Sequence, residues 1–181
     1  MTAPLIIPAH TPEHLDTVRE LFREYQDDIG LDLCFQGFEE ELASLPGKYA
    51  PPTGGLFLGV GPQGQAAGCI AFRPLELPGP KPCEMKRLFV RPAYRGSGLG
   101  AALVDHIVAQ ATKAGYARML LDTDPHLTSA LKLYLSRGFV PSTRYNNDPH
   151  PETMFFTLDL PPAASTPAPN PSPGGSGGSA G

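Results

Sequence analysis

The stretch Arg95-Gly96-Ser97-Gly98-Leu99-Gly100 has the residue types to hold a phosphate. Glycines let a ligand approach the main chain closely, and they permit positive φ where a turn needs it. Arg95 adds a fixed charge. Where such a turn opens a helix, uncovered N–H groups and the positive end of the helix dipole point at the same anion. The neighbouring pattern supplies that context. Glu84 to Val90 reads as a strand closed by Arg91-Pro92, and Ala101 to Ala114 reads as an amphipathic helix with Leu103, Val104, Ile107, Val108 and Ala111 on one face. The expectation is a pyrophosphate cradle between strand and helix. Lys86, Arg87 and Arg91, together with Arg95, form a cationic cluster beside it that would serve an anionic ligand.

The elements that must position this turn follow from periodicity. Leu5 to Ile7 suits a first strand, and His10 to Asp28 places Leu15, Val18, Leu21, Phe22 and Tyr25 at helical spacing, with Thr11 as N-cap before Pro12. Phe38 to Leu45 predicts a short helix whose acidic run Glu39 to Glu41 sits near its start, read as a solvated face that could draw a cationic substrate. Pro46 to Gly55 is a loop. Leu56 to Val60 and Ala66 to Leu75 are strands joined by Gly61-Pro62-Gln63-Gly64, and the proline-rich loop Leu77 to Pro82 leads into the Glu84 strand. Gly115 stops the helix after the cradle. Arg118 to Leu121 is a strand, Leu127 to Arg137 a helix ended by Gly138, and Phe139-Val140 and Met154 to Leu160 are strands. The fold class is a mixed α/β (α+β) sheet in one layer with helices on both faces.

Three segments then carry a resemblance. Arg95-x-x-Gly98-x-Gly100 resembles the acetyl-CoA signature of the GNAT acetyltransferase superfamily. Glu84-Met85-Lys86-Arg87-Leu88-Phe89-Val90-Arg91-Pro92 resembles its fourth strand, and Ala130-Leu131-Lys132-Leu133-Tyr134-x-x-x-Gly138-Phe139 its second cofactor motif. Each motif is weak alone, and the ordered triple is specific. The resemblance extends over roughly residues 4–160. The chain also resembles an uncharacterised bacterial branch through Cys83-Glu84-Met85-Lys86-Arg87 and Tyr145-Asn146-Asn147.

The resemblance implies an N-acetyltransferase that moves an acetyl group from acetyl-CoA to a primary amine of a small molecule or amino acid by direct transfer. It implies fourth and fifth strands splayed around the cofactor, helped by a β-bulge. Main-chain groups of Leu88, Phe89 and Val90 would hold the pantetheine arm, and N–H groups of Arg95, Gly96, Ser97, Gly98, Leu99 and Gly100 the pyrophosphate. Tyr134 would be the general acid toward the departing thiolate, since a phenol with a pKa of ~10 carries its proton at neutral pH; the other reading is a core aromatic. Glu84 would take the amine proton through water; the other reading is a solvated strand-end carboxylate. Arg95 contacts phosphate or is a surface arginine near acidic residues. Asp122 and Thr123 open on the same cleft, and Tyr145 and Asn146, with Asn147, lie in a loop expected to close the acceptor pocket. One departure stands out. Leu127 occupies a position where many members carry an Asn that touches pantetheine, so that contact is absent or passes to Thr128 or Ser129.

Composition limits the alternatives. The 181 residues carry a formal net charge of -4, so no basic field recruits nucleic acid or an anionic membrane. No apolar run approaches the roughly 18 residues of a membrane span, and the first residues lack the order of a signal peptide. The three cysteines, Cys34, Cys69 and Cys83, form no C-x-x-C pair, which suits free thiols in a cytoplasmic protein. The five histidines show no shared ligand spacing, so no metal is expected. The domain is expected over residues 1–160. The uncharged Pro-, Ala-, Ser- and Gly-rich segment 161–181 is expected to be a disordered tail. A homodimer would match similar enzymes. Two other function classes remain in view. One is a non-catalytic acyl-CoA binder or interaction module, against which the presence of both Glu84 and Tyr134 argues. The other is a dinucleotide enzyme, since Gly96-x-Gly98-x-x-Ala101 meets that glycine pattern formally, although the turn sits mid-chain.

Overall fold

Alternation of apolar residues along the central strands sends side chains to two separate cores, so both faces of the sheet need helical cover. The computed structural model describes residues 4–30, 32–33 and 37–163. Its elements are β1 (Leu5–Pro8), α1 (Pro12–Ile29), α2 (Phe38–Ser44), β2 (Gly55–Val60), β3 (Ala66–Pro74), β4 (Pro82–Val90), α3 (Leu99–Lys113), β5 (Arg118–Thr123), α4 (Thr128–Ser136), β6 (Val140–Pro141) and β7 (Met154–Asp159). A short 3₁₀ turn at Gly47–Tyr49 lies within a segment expected as a loop, and another at Pro92–Tyr94 follows the end of β4. The expected tail lies outside the described residues from 164 onward, as does Cys34.

The seven strands run in the order β1-β2-β3-β4-β5-β7-β6, antiparallel except for β4 beside β5. Leu56, Leu58, Cys69 and Ala71 face Leu15, Val18, Leu21 and Phe22 of α1 and Phe38 and Leu42 of α2. Phe57, Ile70, Phe72, Met119, Leu121 and Phe156 face Leu103, Val104, Ile107 and Ala111 of α3 and Tyr134 of α4. Thr11 is the N-cap of α1 and Pro12 its first residue, although the Thr11 side chain makes no capping hydrogen bond. Helix α3 begins at Leu99, two residues earlier than the apolar pattern predicts, because Gly98 is its left-handed N-cap and Leu99 already points into the core. Strand β4 begins at Pro82 and β5 runs on to Thr123, both beyond their expected ends, because those residues pair across the sheet.

Two irregularities make β4 the exceptional strand. It pairs with β5 only through Pro82↔Arg118, Cys83↔Met119 and Glu84↔Leu120, and then the two strands part. Its register with β3 passes from Cys69↔Phe89 to Ala71↔Lys86, so Arg87 and Leu88 together oppose Ile70. This bulge flips the alternation. Met85 lies in the α3/α4 core, whereas Phe89, an even number of residues later, lies in the α1/α2 core. Opposite the far end of the strand, Gly68 permits a close approach: a Cβ there would stand 2.5 Å from the Phe89 carbonyl oxygen. Gly68→Ala is therefore expected to lower stability by about 1–3 kcal/mol through overpacking, read as a lower urea midpoint at unchanged slope.

Candidate active site

The parting of β4 and β5 opens a groove of about 510 Å³ between β4 and the start of α4. One end is the glycine turn. Arg95, Gly96, Gly98 and Gly100 line it, while Ser97 and Leu99 do not, although they belong to the same predicted cradle. The Ser97 hydroxyl is turned back onto the Tyr94 carbonyl at 2.6 Å, and the Leu99 side chain packs in the core. Gly98 takes φ +85°, a conformation L side chains resist, and this turns the chain into α3 with its N–H groups outward. Among the described residues no protein acceptor takes the N–H of Gly96, Gly98, Gly100 or Ala101, whereas Arg95 and Ser97 donate to the Pro92 and Tyr94 carbonyls. These open donors at a helix N-terminus fit a pyrophosphate.

Leu88, Phe89 and Val90 form one wall of the groove and Leu127, Thr128, Ser129 and Ala130 the other, so both substitutes proposed for the departed Asn lie on its surface. The groove continues past Tyr25, Leu88, Leu127 and Ala130 into a narrow chamber of about 60 Å³ lined also by Lys86, Arg87, Asp122, Thr123 and Tyr134. Tyr134 is buried, and burial, with Tyr25 and Asp122 nearby, pushes its phenol above the usual tyrosine range, so it holds its proton. Tyr25 reaches the junction of groove and chamber from α1.

Behind the chamber stands a buried polar network. Asp122 accepts hydrogen bonds from Lys86 Nζ (3.2 Å) and Asn146 Nδ2 (2.7 Å). Burial opposes its ionisation, but Lys86 and Asn146 outweigh this and hold its carboxyl below the usual range. Glu84 is 1% exposed, which overturns the reading of a solvated carboxylate. Arg73 Nε donates to its Oε2 (2.8 Å), Tyr145 Oη donates to its Oε1 (2.9 Å), and Lys86 Nζ lies 3.6 Å from Oε1. Tyr145 and Asn146 thus pin the loop 142–153 onto β4 and β5 and reach the carboxylates rather than lining the chamber.

Two sequence expectations need correction. The cationic cluster is not a free field for anions: Lys86 pairs with Asp122, Arg87 with Glu41, Arg91 with Glu20 and Glu24, and Arg95 with Asp28. Of the four, Arg95 is the one that faces the glycine turn's groove. The acidic run on α2 is not wholly solvated either, because Glu41 is half-buried against Arg87 and Tyr49 while Glu39 and Glu40 stay exposed. Tyr25 was not assigned to the site from sequence, and Lys86 and Arg87 had been read only as a cationic cluster for an anionic ligand. Tyr25 had read only as part of a helical apolar face, and no local signal separates it from Phe22.

A sequence profile of the Acetyltransferase (GNAT) family matches residues 15–139, from α1 through the end of α4. The chain belongs to the GNAT acetyltransferase family. An uncharacterized N-acetyltransferase of Schizosaccharomyces pombe is 41% identical over 149 residues, covering 82% of this chain and 90% of the relative. One of Dictyostelium discoideum is 27% identical, covering 80% and 93%. Among solved structures, a GNAT acetyltransferase of Staphylococcus aureus superposes with a TM-score of 0.71 at 20% identity, covering 88% of this chain and all of that one. The Salmonella typhimurium protein yncA, solved with its cofactor acetyl-CoA, gives 0.66 at 18% identity over 92% and 99%. The protein is thus an acyltransferase of GNAT fold, and the splayed fourth and fifth strands of that fold are present as expected. No helix among the described residues is long and apolar enough to cross a membrane.

Gly98→Val puts a β-branched residue at positive φ in the donor-lined turn. Calorimetric titration is expected to show acetyl-CoA affinity reduced roughly tenfold or more, with the circular dichroism spectrum retained.

Proposed function

We propose that this GNAT protein transfers an acetyl group from acetyl-CoA to a primary amine of a small molecule or amino acid, directly, within a ternary complex. The observation that carries this reading is continuity. One groove runs from a turn with open main-chain donors to a chamber where a buried phenol and a buried carboxylate meet. Acetyl-CoA, when bound, supplies an acetyl group activated as a thioester.

The chain's own residues divide the remaining work. N–H groups of Gly96, Gly98, Gly100 and Ala101 take the pyrophosphate, with Arg95 alongside it. Main-chain groups of Leu88 to Val90, released from β5, hold the pantetheine arm and can polarise the reacting carbonyl. Tyr134, kept protonated by burial, donates to the departing sulfur. Asp122 with Thr123 faces the chamber and meets the acceptor as an ammonium. Held below the usual carboxylate range, Asp122 binds the charged amine and carries its proton only in transit. Glu84 does not line the chamber and reaches it through Lys86, so its base role is indirect: with Arg73 and Tyr145 it sets the charge around Lys86 and accepts a proton through that network. The described cysteines Cys69 and Cys83 are buried free thiols, which supports a reducing, cytoplasmic setting.

Thiol release from acetyl-CoA, measured against a panel of amines and amino acids, tests the reading and separates an enzyme from a pure binder. Tyr134→Phe keeps the ring packing and removes the proton. It is expected to lower kcat about 100-fold with acetyl-CoA affinity unchanged. Full activity in that variant would make Tyr134 structural. Asp122→Asn is expected to act differently, raising the acceptor KM roughly tenfold or more while leaving acetyl-CoA affinity in place.

A further inference from the structure

Arg87 is the one non-glycine residue among the described residues with positive φ, at +60°. It stands in the β4 bulge, a position where glycine is the less strained occupant. The side chain explains the choice of arginine. It is 4% exposed, and its Nε and Nη2 fork onto Glu41 Oε1 (3.1 Å) and Oε2 (2.7 Å) of α2. The Tyr49 hydroxyl donates to the same Glu41 Oε1 at 2.7 Å and fixes the carboxylate. The guanidinium also lies over the rings of Phe38 (5.2 Å) and Tyr25 (5.8 Å). On the other side, the Arg87 carbonyl, out of register with β3, accepts the Cys69 thiol proton at 3.4 Å. A buried ion pair contributes little net stability over apolar packing, so stability alone does not account for a strained arginine here. Strain that the surroundings hold in place points to a positional role.

We propose that the Glu41–Arg87 pair is a positioning device: it holds the β4 bulge in one conformation and so aims the main chain of Leu88 to Val90 into the groove. This rests on the reading above that those main-chain groups hold the thioester arm. Helix α2 then belongs to the cofactor groove without lining it. Through the stacking of Arg87 on Tyr25, the same device sets the neck between groove and chamber. Arg87 and Glu41 are positioning residues, since they act through the strand rather than on the reacting atoms.

The test uses Arg87→Gly, Arg87→Lys, Glu41→Gln and the Arg87→Gly/Glu41→Gln double variant of the full chain. Arg87→Gly tolerates the positive φ but removes the anchor. It is expected to fold, and to raise Kd and KM for acetyl-CoA roughly tenfold, the weight of one aligned hydrogen bond. Glu41→Gln should do the same, and the double variant should be no worse than either single one. Arg87→Lys should not restore affinity, because an ammonium cannot fork onto both carboxylate oxygens. Amide hydrogen exchange at Leu88 to Val90 reads the bulge without ligand and is expected to rise in each variant. A fall in melting temperature with unchanged exchange, Kd and KM would overturn the proposal. Should Arg87→Gly fail to fold, the nearly isosteric Glu41→Gln decides alone. If the wild-type chain does not bind acetyl-CoA while exchange rises in the variants, the device stands and the functional reading fails.

Discussion

Everything distinctive in this fold depends on β4 parting from β5 while it stays paired with β3. Parallel pairing with β5 lasts three residues, and beyond Glu84 the main-chain groups of both strands have no partner in each other. In the middle of a sheet such groups are costly unless something satisfies them. The bulge makes the departure possible by adding a residue on β4 opposite Ile70, which turns the strand away and exchanges the faces of everything after it. Phe89 is thereby sent into the α1/α2 core, while Leu88 and Val90 turn toward α3 and α4 beside the groove.

The face of the sheet beneath α1 and α2 changes character along β4. Under β2 and β3 it is an apolar core, whereas at β4 and β5 it becomes a network of ion pairs and hydrogen bonds. Arg73, Lys86 and Arg87 are matched there by Glu84, Asp122 and Glu41. Each buried charge has a partner of opposite sign, as burial requires. The loop 142–153 completes the arrangement through Tyr145 and Asn146, and edge-to-face packing of Tyr145 on Phe155 steadies it on β7. Matched positive and negative groups thus stand together between helices, sheet and loop.

The two ends of the groove use different physics. The glycine turn presents main-chain donors and a helix dipole, which are indifferent to side-chain identity. The chamber presents specific side chains from four elements: Tyr25 from α1, Lys86 from β4, Asp122 from β5 and Tyr134 from α4.

The order of elements, the glycine turn at the start of α3, the meander of β2, β3 and β4, and Tyr134 on α4 were legible in the chain itself. Each is written in local pattern: period-two or helical spacing of apolar residues, glycines at turns, and an ordered set of motifs. Whether Glu84 was solvated, whether the arginines were free, and which residues met in the chamber were not legible. Those are questions of burial and pairing between residues far apart in sequence, as with Arg87 and Glu41 or Lys86 and Asp122. A lone charge in a sequence reads as exposed, because burying it unpaired costs too much. Only the tertiary structure supplied the partner that makes burial tolerable. The bulge is the same kind of case. Nothing in Lys86-Arg87-Leu88 announces a left-handed arginine, because the contacts that hold it there come from α1 and α2, not from its neighbours in the chain.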